Sequence, residues 1–169
     1  MKKLLLFTAF SAIFSLFFIG CAQNEMVEET QIYESPEFIN NYKNTTKNMN
    51  AEDIAKYEVS EFTKKFGGIR NRFRINDFII FENVFADKNF AVFDYSLTSF
   101  WAAGKPEDRQ KAMENMKNNM IKQICAQQTK RSSIKKGYAE IHRYFYNYPT
   151  DVTFIVEINE QICEQAGLK

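Results

Sequence analysis

The chain has 169 residues, with 22 basic and 21 acidic side chains, one histidine and a net charge of +1. That length suits one ordinary domain and not two. So even a balance offers no basic face to offset phosphate charge, which leaves nucleic-acid binding without electrostatic support.

The opening stretch MKKLLLFTAFSAIFSLFFIGC has a basic start, an apolar middle and small residues before an abrupt polar change, the layout of a secretory signal. As a helix, residues 4–19 reach only about 24 Å against a hydrocarbon core of about 30 Å. Thr8, Ser11 and Ser15 interrupt the run and further disfavour a spanning helix. The tetrad FIGC, residues 18–21, resembles the lipobox of bacterial lipoproteins, with Phe18 where leucine is commonest. The resemblance implies cleavage between Gly20 and Cys21, a diacylglyceryl group on the Cys21 sulfur and acylation of its new amino group. Acyl chains in that number anchor stably, where one is marginal. Ala22, in place of aspartate, implies an outer-membrane address with the domain facing the periplasm; inner-membrane or surface retention stays open.

The next stretch, AQNEMVEETQIYESPEFINNYKNTTKNMN, is acidic and then asparagine-rich, without a sustained apolar period. It reads as a flexible tether, of roughly 30 Å root-mean-square span as a coil. A short helical turn fits around Pro36. The expected organisation is a signal peptide over 1–20, a lipidated tether over 21–49 and a single domain over 50–169.

Asn50 suits a helix N-cap, with Glu52 and Asp53 in the first turn, where negative charge complements the helix dipole. Ala55, Val59, Phe62 and Phe66 form one stripe, and Gly67 and Gly68 end the helix. In INDFIIFENVFADKNFAVFDYSL, Ala91, Phe93, Tyr95 and Leu97 alternate with Val92, Asp94 and Ser96, the period of a strand with one buried face. ADKN is the hairpin turn to an earlier strand around residues 78–85, whose imperfect alternation points to a bulge. Pro106, Glu107 and Asp108 open a second helix with a stripe of Met113, Met116, Met120 and Ile124. That stripe reads as core facing the sheet, or as an adaptable methionine groove. After Gly137 a second hairpin turns at NYPTD, with Val152, Phe154, Val156 and Ile158 on one face. The order helix-strand-strand-helix-strand-strand predicts an α+β fold: a four-stranded, mostly antiparallel sheet with the helices on one face.

Export changes the reading of the remaining cysteines. Cys125 ends a helix and Cys163 follows the last strand, so in an oxidising compartment a disulfide between them clamps strand to helix. No CxxC spacing supports a redox pair, and two sulfurs with one distant histidine make no tetrahedral metal set. The pattern of a helix ending in cysteine, a short charged helix, glycine, a hairpin and a final cysteine, roughly residues 75–163, resembles small disulfide-closed periplasmic lipoproteins. Among these are the α/β pilotins of type II secretion, which escort outer-membrane secretin subunits. The resemblance transfers no contact residue.

Chemistry has few candidates. His142 lies on a strand that alternates Tyr138, Glu140, His142, Tyr144 and Tyr146, with Glu140 as its one orienting partner and no nucleophile motif. A solvent-facing strand position is the plainer expectation. No glycine frame makes a phosphate loop, so no cofactor is implied. Two surface features suit a partner: Arg70, Arg72 and Arg74 in RNRFR, and the aromatics Phe100 and Trp101. Each has a bland counterpart, a charged edge that blocks strand pairing or packing in the core. The sequence therefore points to a non-enzymatic lipoprotein that binds another envelope protein, in assembly, or to an inhibitor or immunity lipoprotein against a toxin or hydrolase.

Overall fold

The computed structural model describes residues 34–66 and 72–168. The signal segment, Gly20 and Cys21, the tether as far as residue 33, the pair Gly67 and Gly68, and Arg70 lie outside the described residues.

The first element among the described residues falls inside the stretch expected to be a tether. Helix α1, Pro36–Thr46, is capped by Ser35, whose Oγ accepts the Phe38 N–H at 3.1 Å, and Pro36 occupies its first turn. Ile39, Tyr42 and Thr46, spaced by three and four, are buried. Part of that stretch is therefore helical, and the turn expected at Pro36 is a three-turn helix.

Helix α2, Ala51–Lys65, starts at the expected cap, where Asn50 Oδ1 accepts the Asp53 N–H at 2.9 Å. It lies across strands β2, Ile79–Asp87, and β3, Phe90–Leu97. These two form the expected hairpin, and the register slips between Phe81 and Asn83, which is the bulge. A short strand absent from the sequence reading, β1 (Phe73–Arg74), edges β2, with the Phe73 ring stacked 5.0 Å from Phe81. Then come α3 (Ser99–Ala103), α4 (Pro106–Ala126), α5 (Gln128–Ile134), strands β4 (Ala139–Asn147) and β5 (Asp151–Ile158), and α6 (Glu160–Gln165).

The sheet runs β1-β2-β3-β4-β5, with antiparallel neighbours except for the parallel central pair β3 and β4. The sheet is mostly antiparallel, as expected, but has five strands where four were expected, and one pair is parallel. Residues 98–138 carry three helices, and a connection of that length is a crossover that returns the chain to the start of β3, so β4 runs the same way. Element order alone fits either arrangement.

One sheet face joins a single core: Ile79, Phe81 and Val84; Ala91 and Phe93; Tyr144; Val156 and Ile158. Ile54 and Ala55 of α2, Ile121 and Cys125 of α4, Ile134 of α5 and Cys163 of α6 close on it. Met116, Met120 and Ile124 pack against that cluster, so those residues of the methionine stripe face the core. Cys125 and Cys163 are joined, with an S–S distance of 1.98 Å, and tie α6 to the last turn of α4. No described helix is long and apolar enough to cross a membrane.

Candidate functional site

The predicted partner residues separate. Arg72 and Arg74 flank Phe73 on the short edge strand. Arg72 Nε donates to Glu82 at 3.0 Å and Arg74 Nη1 to Asp77 at 3.3 Å, with both arginine side chains more than half exposed. A two-residue strand bordered by such charges blunts its edge against pairing. Phe100 stands on α3, 61% exposed, whereas Trp101 beside it packs against the core.

His142 departs from the expectation of a solvent-facing strand residue. It is 5% exposed and Glu140 2% exposed, because the polar-looking face of β4 is the one turned inward. The Glu140 carboxylate accepts the His142 Nε2–H at 3.1 Å, and Nδ1 across the ring meets the Tyr95 hydroxyl at 3.1 Å. Tyr138 donates to the same carboxylate at 2.9 Å. Lys130 of α5 lies 2.7 Å from Glu140 and 2.6 Å from Glu58 of α2. Tyr42 of α1 donates to Glu58 and lies 2.7 Å from Ser133 Oγ. One chain of ionic and hydroxyl contacts thus ties α1, α2 and α5 to β4.

Electrostatics follow from that geometry. Burial alone raises a carboxylate, yet the Lys130 charge and the His142 hydrogen bond hold Glu140 well below the ordinary glutamate range. Burial likewise acts to lower Lys130, and the carboxylates of Glu140 and Glu58 outweigh it and push the ammonium upward. Burial, with Glu58 beside it, raises the Tyr42 hydroxyl. His142 is held between Glu140 and Tyr95, and its ring stacks on Phe93 at 4.8 Å. The cluster is built to hold helices on the sheet. Among the described residues no group of three His, Cys, Asp or Glu side chains is placed to hold a metal ion.

The opposite sheet face holds a pair that sequence reasoning missed. Asp94 and Arg143 are neighbours in the parallel register of β3 and β4. Arg143 donates from Nε to Oδ1 at 2.7 Å and from Nη2 to Oδ2 at 2.9 Å, a two-pronged contact that raises the guanidinium's pKa. The guanidinium lies 5.3 Å from the Phe85 ring centroid and 5.5 Å from that of Phe145. The only signal in the sequence was alternation, which puts Asp94 on the face of β3 opposite Phe93 and Tyr95. Asp94 is 2% exposed because arginine reaches over it.

Toward β5 this face opens. The register slips between Tyr144 and Phe145, pairing Tyr144 with Phe154 and Phe145 with Val152, so Thr153 is an extra residue. Val152 therefore turns away from Phe154, Val156 and Ile158, with which the alternation grouped it, and is 47% exposed; Ile155 is 52% exposed. Tyr148, packed edge-on against Phe145 at 5.1 Å, is exposed beside them.

No protein-family model matches the chain, and no curated protein matches it in sequence. Among solved structures, a Pseudomonas aeruginosa protein described as secreted is 14% identical and covers 67% of this chain and 96% of its own, with a TM-score of 0.48. The Vibrio vulnificus type 2 secretion pilotin EpsS is 10% identical, with coverages of 73% and 96% and a TM-score of 0.47. The Vibrio cholerae type II secretion pilotin AspS is 13% identical, with coverages of 72% and 99% and a TM-score of 0.46.

Proposed function

We propose that the chain is a lipid-anchored, non-enzymatic protein of the periplasmic side of the outer membrane that docks another envelope protein, in assembly, as a pilotin does. Two readings support it. The FIGC tetrad supplies the anchor at Cys21. The observation that carries docking is the β5 margin, where Val152 and Ile155 of the strand and Tyr148 of the turn before it stand exposed, and α6, which follows the strand, is fastened through Cys163. Aromatic and branched side chains on a rigid frame lose little entropy on binding, which favours them as contact points. The groups with chemistry to offer, Glu140, His142 and Lys130, are meanwhile bound to one another inside the core.

Crosslinking in the native envelope followed by pull-down and mass spectrometry tests this reading. The pilotin-like sequence pattern names a secretin subunit as the first partner to look for. Recovery of an identified envelope assembly protein, lost on Ile155→Lys, is the expected result. Recovery of a toxin or hydrolase would transfer the protein to the inhibitor class, and no specific partner in either case would overturn docking. Acyl labelling should vanish in Cys21→Ser, with the precursor left uncut; labelling that persists would remove the anchor.

A further inference from the structure

We propose that the outer edge of β5 receives an extended, lysine- or arginine-rich segment of the partner as a sixth strand. This rests on the docking reading and names the partner's chemistry.

The two edges of the sheet are built differently. The β1 edge is two residues long, and Arg72 and Arg74 are already paired with Glu82 and Asp77. The β5 edge is eight residues long and, among the described residues, pairs with β4 alone. Long edge strands are templates for another chain unless charge, brevity or a cover blocks them. Here the exposed side chains Val152 and Ile155 invite apolar residues of an added strand, since cross-strand neighbours sit within about 5.5 Å.

Charge settles what kind of strand fits. From Pro149 to Leu168 the sequence has Asp151, Glu157, Glu160 and Glu164 and no lysine or arginine. All four acids are exposed. Asn147 donates to Asp151 and Asn159 to Glu157, each at 2.7 Å, and none of the four carboxylates has an ion-pair partner among the described residues. A hollow of about 300 Å³ lies at the Glu157 end of the strand, walled by Glu157, Asn159 and Glu160 with Asn89 and Phe90. An incoming basic strand thus meets main-chain groups along β5, apolar contacts at Val152 and Ile155, and uncompensated carboxylates toward the hollow. A second copy of this chain would bring acids against acids. The disulfide ties α6, which follows β5 directly, to α4, and so limits how far that end of the edge can move before the partner arrives.

The test uses the mature full-length chain and a capped peptide of about ten residues, the length of a long strand, with valines in one half to face Val152 and Ile155 and lysines in the other to face Glu157. Its controls replace lysine by glutamate, or methylate alternate backbone nitrogens. The lysine peptide should bind saturably and protect β5 amides from hydrogen exchange while leaving β1 unchanged. Glu157→Lys with Glu160→Lys should weaken it by about tenfold or more and let the glutamate peptide bind. Should that pair disturb the fold, Glu157→Gln with Glu160→Gln should still weaken the lysine peptide. Equal binding of the glutamate or methylated peptide, protection elsewhere, or no binding would overturn the proposal. A dimer of this chain broken by Ile155→Lys would assign the edge to a second copy and overturn it too. An envelope partner still captured by the Glu157→Lys, Glu160→Lys chain sinks the edge and spares the docking reading; no partner for either chain sinks both.

Discussion

Lys130 and Glu140 form an ion pair at 2.7 Å whose side chains are 17% and 3% exposed, joining α5 to the inner face of β4. Removing one member leaves the rest charged in a dry place. Lys130→Met strips the cation from between Glu140 and Glu58 and should cost about 3–5 kcal/mol, the usual range when a buried pair loses one partner. Urea unfolding measures it. Adding Glu140→Gln to the same chain should recover part of the loss, because one of the orphaned carboxylates is then neutral. A double variant whose loss equals the sum of the two single losses would mean that the pair is not coupled.

The same pair sets how stability responds to pH. Glu140 titrates lower in the folded chain than its ordinary value, near 4.3 when unfolded. Its contribution is complete above that ordinary value and is lost as pH falls through the depressed folded one. Lys130 is shifted the opposite way, so its contribution is complete below the ordinary lysine value of about 10.4 and is lost as pH rises through the raised one. Stability from this pair should therefore be level between about pH 5 and 10. In Glu140→Gln the decline below about pH 4.3 should be shallower, which denaturation midpoints at stepped pH will show.

On the other sheet face, Arg143→Ala leaves the Asp94 carboxylate, 2% exposed, without its two donors. Loss of charged hydrogen bonds, discounted because the arginine is about one-third exposed, gives a cost of about 2 kcal/mol. Arg143→Lys keeps the charge but not the fork that spans both carboxylate oxygens, nor the flat contact with Phe85 and Phe145, so it should recover less than half. Thermal unfolding of the three chains checks the order.

Which of these features could be read from residue order depends on how local their causes are. The Asn50 cap, the bulge after Phe81 and the start of α4 at Pro106 arise within a few residues, and each was legible. α1 was not, because its helix face rests on Tyr42 meeting Glu58 and Ser133, residues that lie far along the chain. The burial of His142 was misread for the same reason: Lys130 and Glu140 make a polar face the inner one, and hydropathy cannot register a partner supplied by another helix. Val152 was misplaced by a single extra residue, Thr153, since one inserted position reverses the face of everything before it. The parallel pairing of β3 with β4 depends on where the crossover lands, which element order leaves open.

The bond between Cys125 and Cys163 closes a separation of 38 residues. On the chain-entropy model that contributes about 4 kcal/mol by restricting the unfolded chain. Cys125→Ser with Cys163→Ser should lose most of this in denaturant titrations, and reducing agent should produce the same shift in the parent chain but none in the variant. Because α6 and the end of β5 depend on that fastening, hydrogen exchange should rise there first, ahead of α2.

The position of α1 alters how far the domain can stand from the lipid proposed at Cys21. Glu34 accepts from the Gln128 and Thr129 amides and the Thr129 hydroxyl, and Lys136 Nζ donates to the Thr46 carbonyl at 2.6 Å, so α1 is fastened at both ends to the α5 region. The leash proposed from the sequence then runs only over residues 22–33. As a coil its span is roughly 20 Å, compared with roughly 30 Å had it continued to Asn50. Limited proteolysis of the membrane-bound chain should cut within residues 22–33 and spare 36–46. Glu34→Ala with Lys136→Ala releases both fastenings and should expose α1 to cleavage while the Cys125 to Cys163 region stays resistant. Cleavage within α1 of the parent chain, at a rate equal to that in residues 22–33, would restore the longer tether and remove the fixed relation between the anchor and the α5 end of the domain.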